Sequence, residues 1–154
     1  VKISDLVTAD RIVDLKGQTK KEALKELFRT IERAPEITDR QKFEDSILER
    51  ENILTTGIGF EIAIPHVKIP SVSNFVMALG RNPSGIDFDS LDGKPVKIVV
   101  MIGSSDKQRD DFLKVLAKVV MLFKDEAFRR KILRAPGPEE VLDLLRGARQ
   151  PRAG

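Results

Sequence analysis

Hydrophobic residues recur along this chain at two different periods, and the way those periods alternate predicts an alternation of helices and strands. Over residues 20–33, Ala23, Leu24, Leu27, Phe28 and Ile31 fall at helical spacing. Thr19 stands ahead of them with Glu22 three positions on, a pairing that satisfies free amides at a helix start. Pro35 ends the run. Thr38 with Gln41 repeats the arrangement, and Phe43, Ile47 and Leu48 then mark a second helix reaching to about Glu51. Arg50 falls near its C-terminus, aimed into the turn that follows. A third helix is expected from Ser105, where Phe112, Leu113, Leu116, Val119, Val120 and Phe123 cover a broad apolar face. Helix resumes from Glu126 to Leu133 after a break near Asp125, and Pro138 suits the first position of a last helix ending near Arg146.

Between the helices the pattern shortens to that of strands. Arg11 to Leu15 alternates weakly, Glu61 to Ile64 is a short β-prone run, and Phe75 to Leu79 and Val96 to Ile102 are continuous apolar runs typical of central strands. Ile86 and Phe88 alternate briefly. Arg81-Asn82-Pro83-Ser84-Gly85 reads as a loop, and residues 3–10 as a short helix or turn. Helices thus precede, separate and follow about five strands, which predicts an α/β fold with helices on both faces of one sheet. No repeat, low-complexity run or linker interrupts the 154 residues, so one domain is expected.

Composition narrows the function. With 41% hydrophobic and 33% charged residues the balance is that of an ordinary globular protein. A net charge of +3, from 27 basic and 24 acidic residues, is too even to argue for nucleic acid. Arg146, Arg149 and Arg152 make the end basic, which reads as a solubilising tail. There are no cysteines and a single histidine, so disulfides, thiolate metal sites and a zinc site are not expected. No apolar run approaches the ~20 residues of a membrane span, and no signal-peptide core is visible. A soluble, cytoplasmic protein without metal or cofactor is expected.

The candidate chemistry lies in one stretch, Thr55-Thr56-Gly57-Ile58-Gly59-Phe60-Glu61-Ile62-Ala63-Ile64-Pro65-His66. Gly57-Ile58-Gly59 is no dinucleotide fingerprint, because Ile62 stands where the third glycine belongs, and no Gly-Lys-Ser/Thr follows to make a Walker loop. Pro65 removes one amide and biases Ile64 to extended backbone, so strand pairing is expected to stop there. That leaves His66 at the end of a strand, at the edge of the sheet. Imidazole is largely neutral and nucleophilic near pH 7. The turn amides of Gly57 and Gly59 and the hydroxyls of Thr55 and Thr56 offer neutral hydrogen-bond donors, and Arg50 a fixed positive charge with planar donor geometry. Alternatively, the glycines make a plain tight turn and Arg50 only terminates its helix.

Arg50-Glu51, Thr55-Thr56-Gly57-Ile58-Gly59 and Ala63-Ile64-Pro65-His66 together resemble the signature of the enzyme IIA proteins of the bacterial phosphotransferase system, in the fructose/mannitol and nitrogen-regulatory branch (type 2 domain). The likeness extends from Lys2-Ile3-Ser4-Asp5-Leu6 through Asp92-Gly93-Lys94-Pro95-Val96 to Leu113-Lys114-Val115-Leu116-Ala117-Lys118. The resemblance implies a mixed, mainly five-stranded sheet flanked by helices, a domain over residues 1–147 and a disordered tail over 148–154. It implies that His66 accepts a phosphoryl group on Nε2 from a histidine-containing phosphocarrier protein (HPr or its nitrogen-branch equivalent). The group would pass to an enzyme IIB domain or serve as a signal to regulated proteins, with Arg50, Thr55 and Thr56 in support. The absence of a membrane segment from a free-standing domain favours the nitrogen-regulatory role over a sugar-specific one.

Two departures from the family pattern stand out. Phe60-Glu61 occupies the place of a frequent Asn-Gly, which is expected to put a bulky apolar group and a negative charge beside the nucleophile. Phe112 stands where many members carry a second histidine, so this chain is expected to accept phosphate slowly. The alternative is a regulatory protein-binding module with weak or lost phosphotransfer. A hydrolase using His66 as general base has no accompanying nucleophile or metal set.

Overall fold

A computed structural model describes residues 2–148. After two 3-10 turns at Ile3–Asp5 and Ala9–Arg11, the elements run β1 (Ile12–Asp14), α1 (Lys20–Ile31), α2 (Arg40–Ile53), β2 (Gly57–Gly59), β3 (Ile62–Ala63) and β4 (His66–Lys68). They continue with β5 (Val76–Ile86), β6 (Val96–Ser104), α3 (Arg109–Phe123), α4 (Glu126–Arg134) and α5 (Pro138–Gly147). Strand order is β1-β5-β6-β3-β2, with β4 also paired to β6. β1 runs parallel to β5, β5 antiparallel to β6, and both β3 and β4 parallel to β6. The sheet is therefore mixed, as the resemblance implied. Residues 149–154, with most of the expected tail, lie outside the described residues.

Alternation along the central strands divides the core in two. Met77 and Leu79 of β5 and Ile98, Val100 and Ile102 of β6 face α3, α4 and α5. Val76, Ala78, Val99 and Met101 face the opposite way, onto the apolar stripe of α1 and onto Phe43 and Ile47 of α2. Phe28 of α1 and Phe43 of α2 meet edge to face at 6.3 Å. Truncating either buried ring to alanine is expected to cost about 3–5 kcal/mol, because neighbours packed on the sheet collapse only partly into the hole.

The helix starts follow local chemistry. Thr19 Oγ1 accepts the Glu22 amide and donates to the Glu22 carboxylate, the expected capping box. At α2 the cap is Asp39, which accepts the Lys42 amide at 3.0 Å, and not Thr38, whose hydroxyl donates to Ser71 O. Residues 81–85, expected as a loop, continue β5. Arg81 is buried and tied to Asp14 (2.6 Å) and to the carbonyls of Ile132 and Ala135 (2.7 Å each). The loop-forming residues beyond it are absorbed as a register shift against β6 between Arg81 and Ile86. Strand pairing also resumes immediately after Pro65, where β4 begins, so His66 opens a strand and does not close one.

Candidate functional site

α2 ends when Leu54 turns to extended backbone, its amide still bonded to Arg50 O at 3.0 Å. The chain then crosses through Thr55 and Thr56 into the β2–β3 hairpin. Thr55 Oγ1 donates to Phe88 O (2.8 Å) and accepts the Gly57 amide (3.1 Å). Thr56 Oγ1 donates to the Glu51 carboxylate, which also accepts the Thr56 amide at 3.3 Å and pairs with Lys20 Nζ at 3.0 Å. Each hydroxyl has one proton, and both are committed within the protein. In this structure both hydroxyls fix the crossing segment.

His66 sits half-buried at the start of β4, which no strand flanks on its outer side among the described residues. Its Nδ1 lies 2.6 Å from Ile64 O. A carbonyl only accepts, so Nδ1 carries the proton, and in the neutral ring Nε2 holds the free lone pair. Ile64 owes its position to the break at Pro65. Its amide bonds to Thr56 O at 3.1 Å, while Pro65 O takes the Ile102 amide at 2.9 Å.

Because β4 is at the sheet edge, the helices on the two faces approach one another around it. A cleft of about 790 Å³ lies between the end of α2 and the middle of α3 and is lined by Arg50, Thr55, Thr56, Ile64, His66 and Leu116, among others. Arg50 is exposed, and among the described residues no side-chain hydrogen bond or ion pair occupies its guanidinium. Large exposed apolar side chains, Ile53, Leu54 and Leu91, stand on the rim. From α3, the buried Phe112 places its ring centroid 5.6 Å from that of His66. Lys68, on the same side of β4 as His66, holds its ammonium 5.4 Å from the centre of the Phe112 ring. Nothing in the sequence pattern singled out Lys68, and Glu51 entered only as part of the Arg50-Glu51 signature, with no role of its own.

Gly57 and Gly59 do not line this cleft. A Cβ on Gly57 would meet Ser90 Oγ at 2.3 Å, so glycine is required there by the close approach of the 88–92 loop. Gly59 has φ +101° and begins the hairpin turn.

The model of the family described as phosphoenolpyruvate-dependent sugar phosphotransferase system, EIIA 2, matches residues 6–148. This chain belongs to that family. Among EIIA 2 relatives, the fructose-specific EIIA component of Haloferax volcanii is 38% identical over 82% of each protein. A nitrogen regulatory protein of Bradyrhizobium diazoefficiens is 34% identical over 93% of this chain and 94% of its own length. The fructose-specific EIIABC component of Bacillus subtilis is also 34% identical, and the chain spans 23% of its length. Among solved structures, the nitrogen regulatory IIA protein of Neisseria meningitidis superposes with a TM-score of 0.85 at 25% identity, over 93% of this chain and 98% of that one. A mannitol IIA of Escherichia coli, solved in complex with its phosphorylated IIB, shares the fold (TM-score 0.77, 20% identity, 92% and 98% coverage).

Within this EIIA 2 chain, both departures now have positions. The Phe112 ring occupies space directly beside His66. Phe60 and Glu61 do not. They form the tip of the β2–β3 hairpin, lining a separate hollow with Asp92, Lys94 and Lys97, and Glu61 pairs with Lys97 at 2.8 Å. Glu61 lies next to the Ile62–Ile98 pair, whereas His66 pairs with Ile102, four residues further along β6. At about 3.3 Å per residue that is on the order of 13 Å. The expectation of a bulky apolar group and a negative charge from Phe60 and Glu61 beside His66 is corrected accordingly. No helix among the described residues is long and apolar enough to cross a membrane.

Proposed function

We propose that this EIIA 2 domain is a phosphoryl carrier in which His66 Nε2 accepts a phosphoryl group from a histidine-containing phosphocarrier protein in the cytoplasm. It then passes the group to an enzyme IIB domain or holds it as a signal. The observation that carries this reading is the bond from Nδ1 to Ile64 O, which leaves Nε2 as the ring's nucleophilic atom. In the transfer, the Nε2 lone pair forms a new N–P bond as the donor's N–P bond breaks, and the donor imidazole keeps that electron pair. The proton stays on Nδ1, where the Ile64 carbonyl meets the positive charge the ring acquires. Arg50, uncommitted at the same cleft, supplies a cation for the phosphoryl oxygens. The apolar rim of Ile53, Leu54 and Leu91 suits a protein donor or acceptor.

Incubation with phosphoenolpyruvate, enzyme I and the phosphocarrier, followed by intact mass, tests the reading. A gain of one phosphoryl group, lost in a folded His66→Ala variant, is expected. A parent protein that gains none refutes it. One observation favours a second reading, a regulatory binding module with weak transfer: an apolar ring packs against His66 where an imidazole donor would stand. Labelling that remains far from complete when the phosphocarrier is fully phosphorylated would favour that module.

A further inference from the structure

Glu51 is the buried acidic residue of α2, and it does not line the cleft. Its contacts run toward His66 as an unbroken series. Glu51 holds the amide and the hydroxyl of Thr56. Thr56 O holds the Ile64 amide at 3.1 Å, and Ile64 O holds His66 Nδ1 at 2.6 Å. Lys20 of α1 anchors the far end of the series at 3.0 Å from Glu51. The series spans a gap in the sheet. β3 stops at Ala63 and β4 starts at His66, so Ile64 belongs to neither strand. The direction of the Ile64 carbonyl is therefore set from the Thr56 side and, through Pro65, from Ile102.

We propose that Glu51 is a positioning residue for His66, acting through Thr56 and Ile64 to keep the imidazole proton on Nδ1 and the lone pair on Nε2. The proposal rests on the reading of His66 as phosphoryl acceptor, but the state of the ring is measurable without any phosphoryl donor. Glu51 clamps Thr56 by two bonds at once, on its amide and on its side chain, which fixes the residue from which the Thr56 carbonyl projects. A rotated Thr56 carbonyl would release the Ile64 amide, and the Ile64 carbonyl would then be free to swing away from Nδ1. A neutral imidazole without a dedicated acceptor distributes between its two tautomers, so relaxation of the series has a direct signature.

His66 is the only histidine in the chain, so ¹⁵N-histidine NMR reports it alone. In the parent protein at alkaline pH the spectrum should show Nδ1 protonated and Nε2 bare. In Glu51→Ala the two nitrogens should move toward mixed-tautomer shifts, and acceptance of phosphate should slow about ten- to hundredfold, the scale of a misplaced reacting group. Glu51→Gln keeps one acceptor for Thr56 and should show a partial shift. Lys20→Met removes the anchor but leaves the Thr56 clamp, and should lower thermal stability without altering the tautomer. Should Glu51→Ala fail to fold, the partial shift in Glu51→Gln becomes the deciding readout. A folded Glu51 variant with the parent's tautomer and rate overturns the proposal. A parent protein that accepts no phosphate overturns the acceptor reading instead, and the tautomer measurement still judges Glu51.

Discussion

At the base of the β2–β3 hairpin, Thr56, Ile64 and His66 are joined by backbone and ring hydrogen bonds of 2.6–3.1 Å. At its tip, Phe60 and Glu61 both hold left-handed backbone, with φ of 56° and 63°, and the Phe60 ring is 51% exposed. Such backbone is easy for asparagine and glycine and costs other residues about 1 kcal/mol or more each. The same short hairpin thus keeps close geometry where the imidazole is held and tolerates strain where nothing reacts. Closeness in sequence to His66 is a poor guide here. Phe60 is six positions from His66 and remote from it, while Phe112 comes from another helix and packs against its ring.

Changes at the base should therefore alter transfer, and changes at the tip only stability. The largest effect is expected from His66→Ala, which should abolish acid-labile labelling while circular dichroism reports an intact fold. Persistent labelling would dissolve the contrast. Next, Arg50→Ala should slow transfer by roughly 10- to 1000-fold with little change in melting temperature, since among the described residues no hydrogen bond or ion pair holds its guanidinium. A drop in melting temperature at unchanged rate per folded molecule would return Arg50 to a purely helical role.

Phe112→His sharpens the comparison from the other side. The imidazole would add a donor beside His66, and such a donor is worth about 2–4 kcal/mol where water does not already stand in for it. Allowing for water, transfer from the phosphocarrier should speed up by about tenfold, at a stability loss of about 1–3 kcal/mol for replacing a buried phenyl ring. An equal or slower rate in the folded variant would show that the donor was never limiting. The smallest effect belongs to the tip. Glu61→Gly relieves one left-handed position but gives up the exposed pair with Lys97, worth about 0–1 kcal/mol. A net gain of about 0.5–1 kcal/mol is expected, or up to roughly 4 °C in melting temperature, with transfer unchanged. A changed transfer rate would mean that the tip communicates with His66 after all.

The helices were legible because their apolar positions recur at helical spacing, and the start of α1 because its cap is local: Thr19 accepts an amide three residues ahead. The second half of β5 was not legible. Asn82, Pro83, Ser84 and Gly85 carry loop chemistry, and what holds them extended is tertiary, through Arg81 on Asp14 and on two carbonyls near the end of α4. At the site, His66, Arg50 and the threonines could be read from their order, and the structure brings all four to one cleft. The orientation of the threonine hydroxyls could not be read, because it depends on Phe88 and Glu51. Glu51 stands in the signature beside Arg50, but its periodicity does not reveal that it is buried. Its partners are Thr56 and Lys20, and Lys20 comes from a different helix.

Pro65 and the brevity of β4 also bear on how this protein keeps to itself. A nucleophile that must meet another protein is well placed on the open margin of a sheet, yet such margins invite other chains to add strands and aggregate. Here the edge strand is three residues long, follows a proline that offers no amide, and carries Lys68. The apolar run Ile62-Ala63-Ile64 ahead of it is cut by the same proline before it reaches the six or so residues that a self-stacking β segment needs. Substituting Pro65 by a β-branched residue would lengthen that run and restore the missing amide. The molecule would then offer a sticky edge beside the His66 cleft.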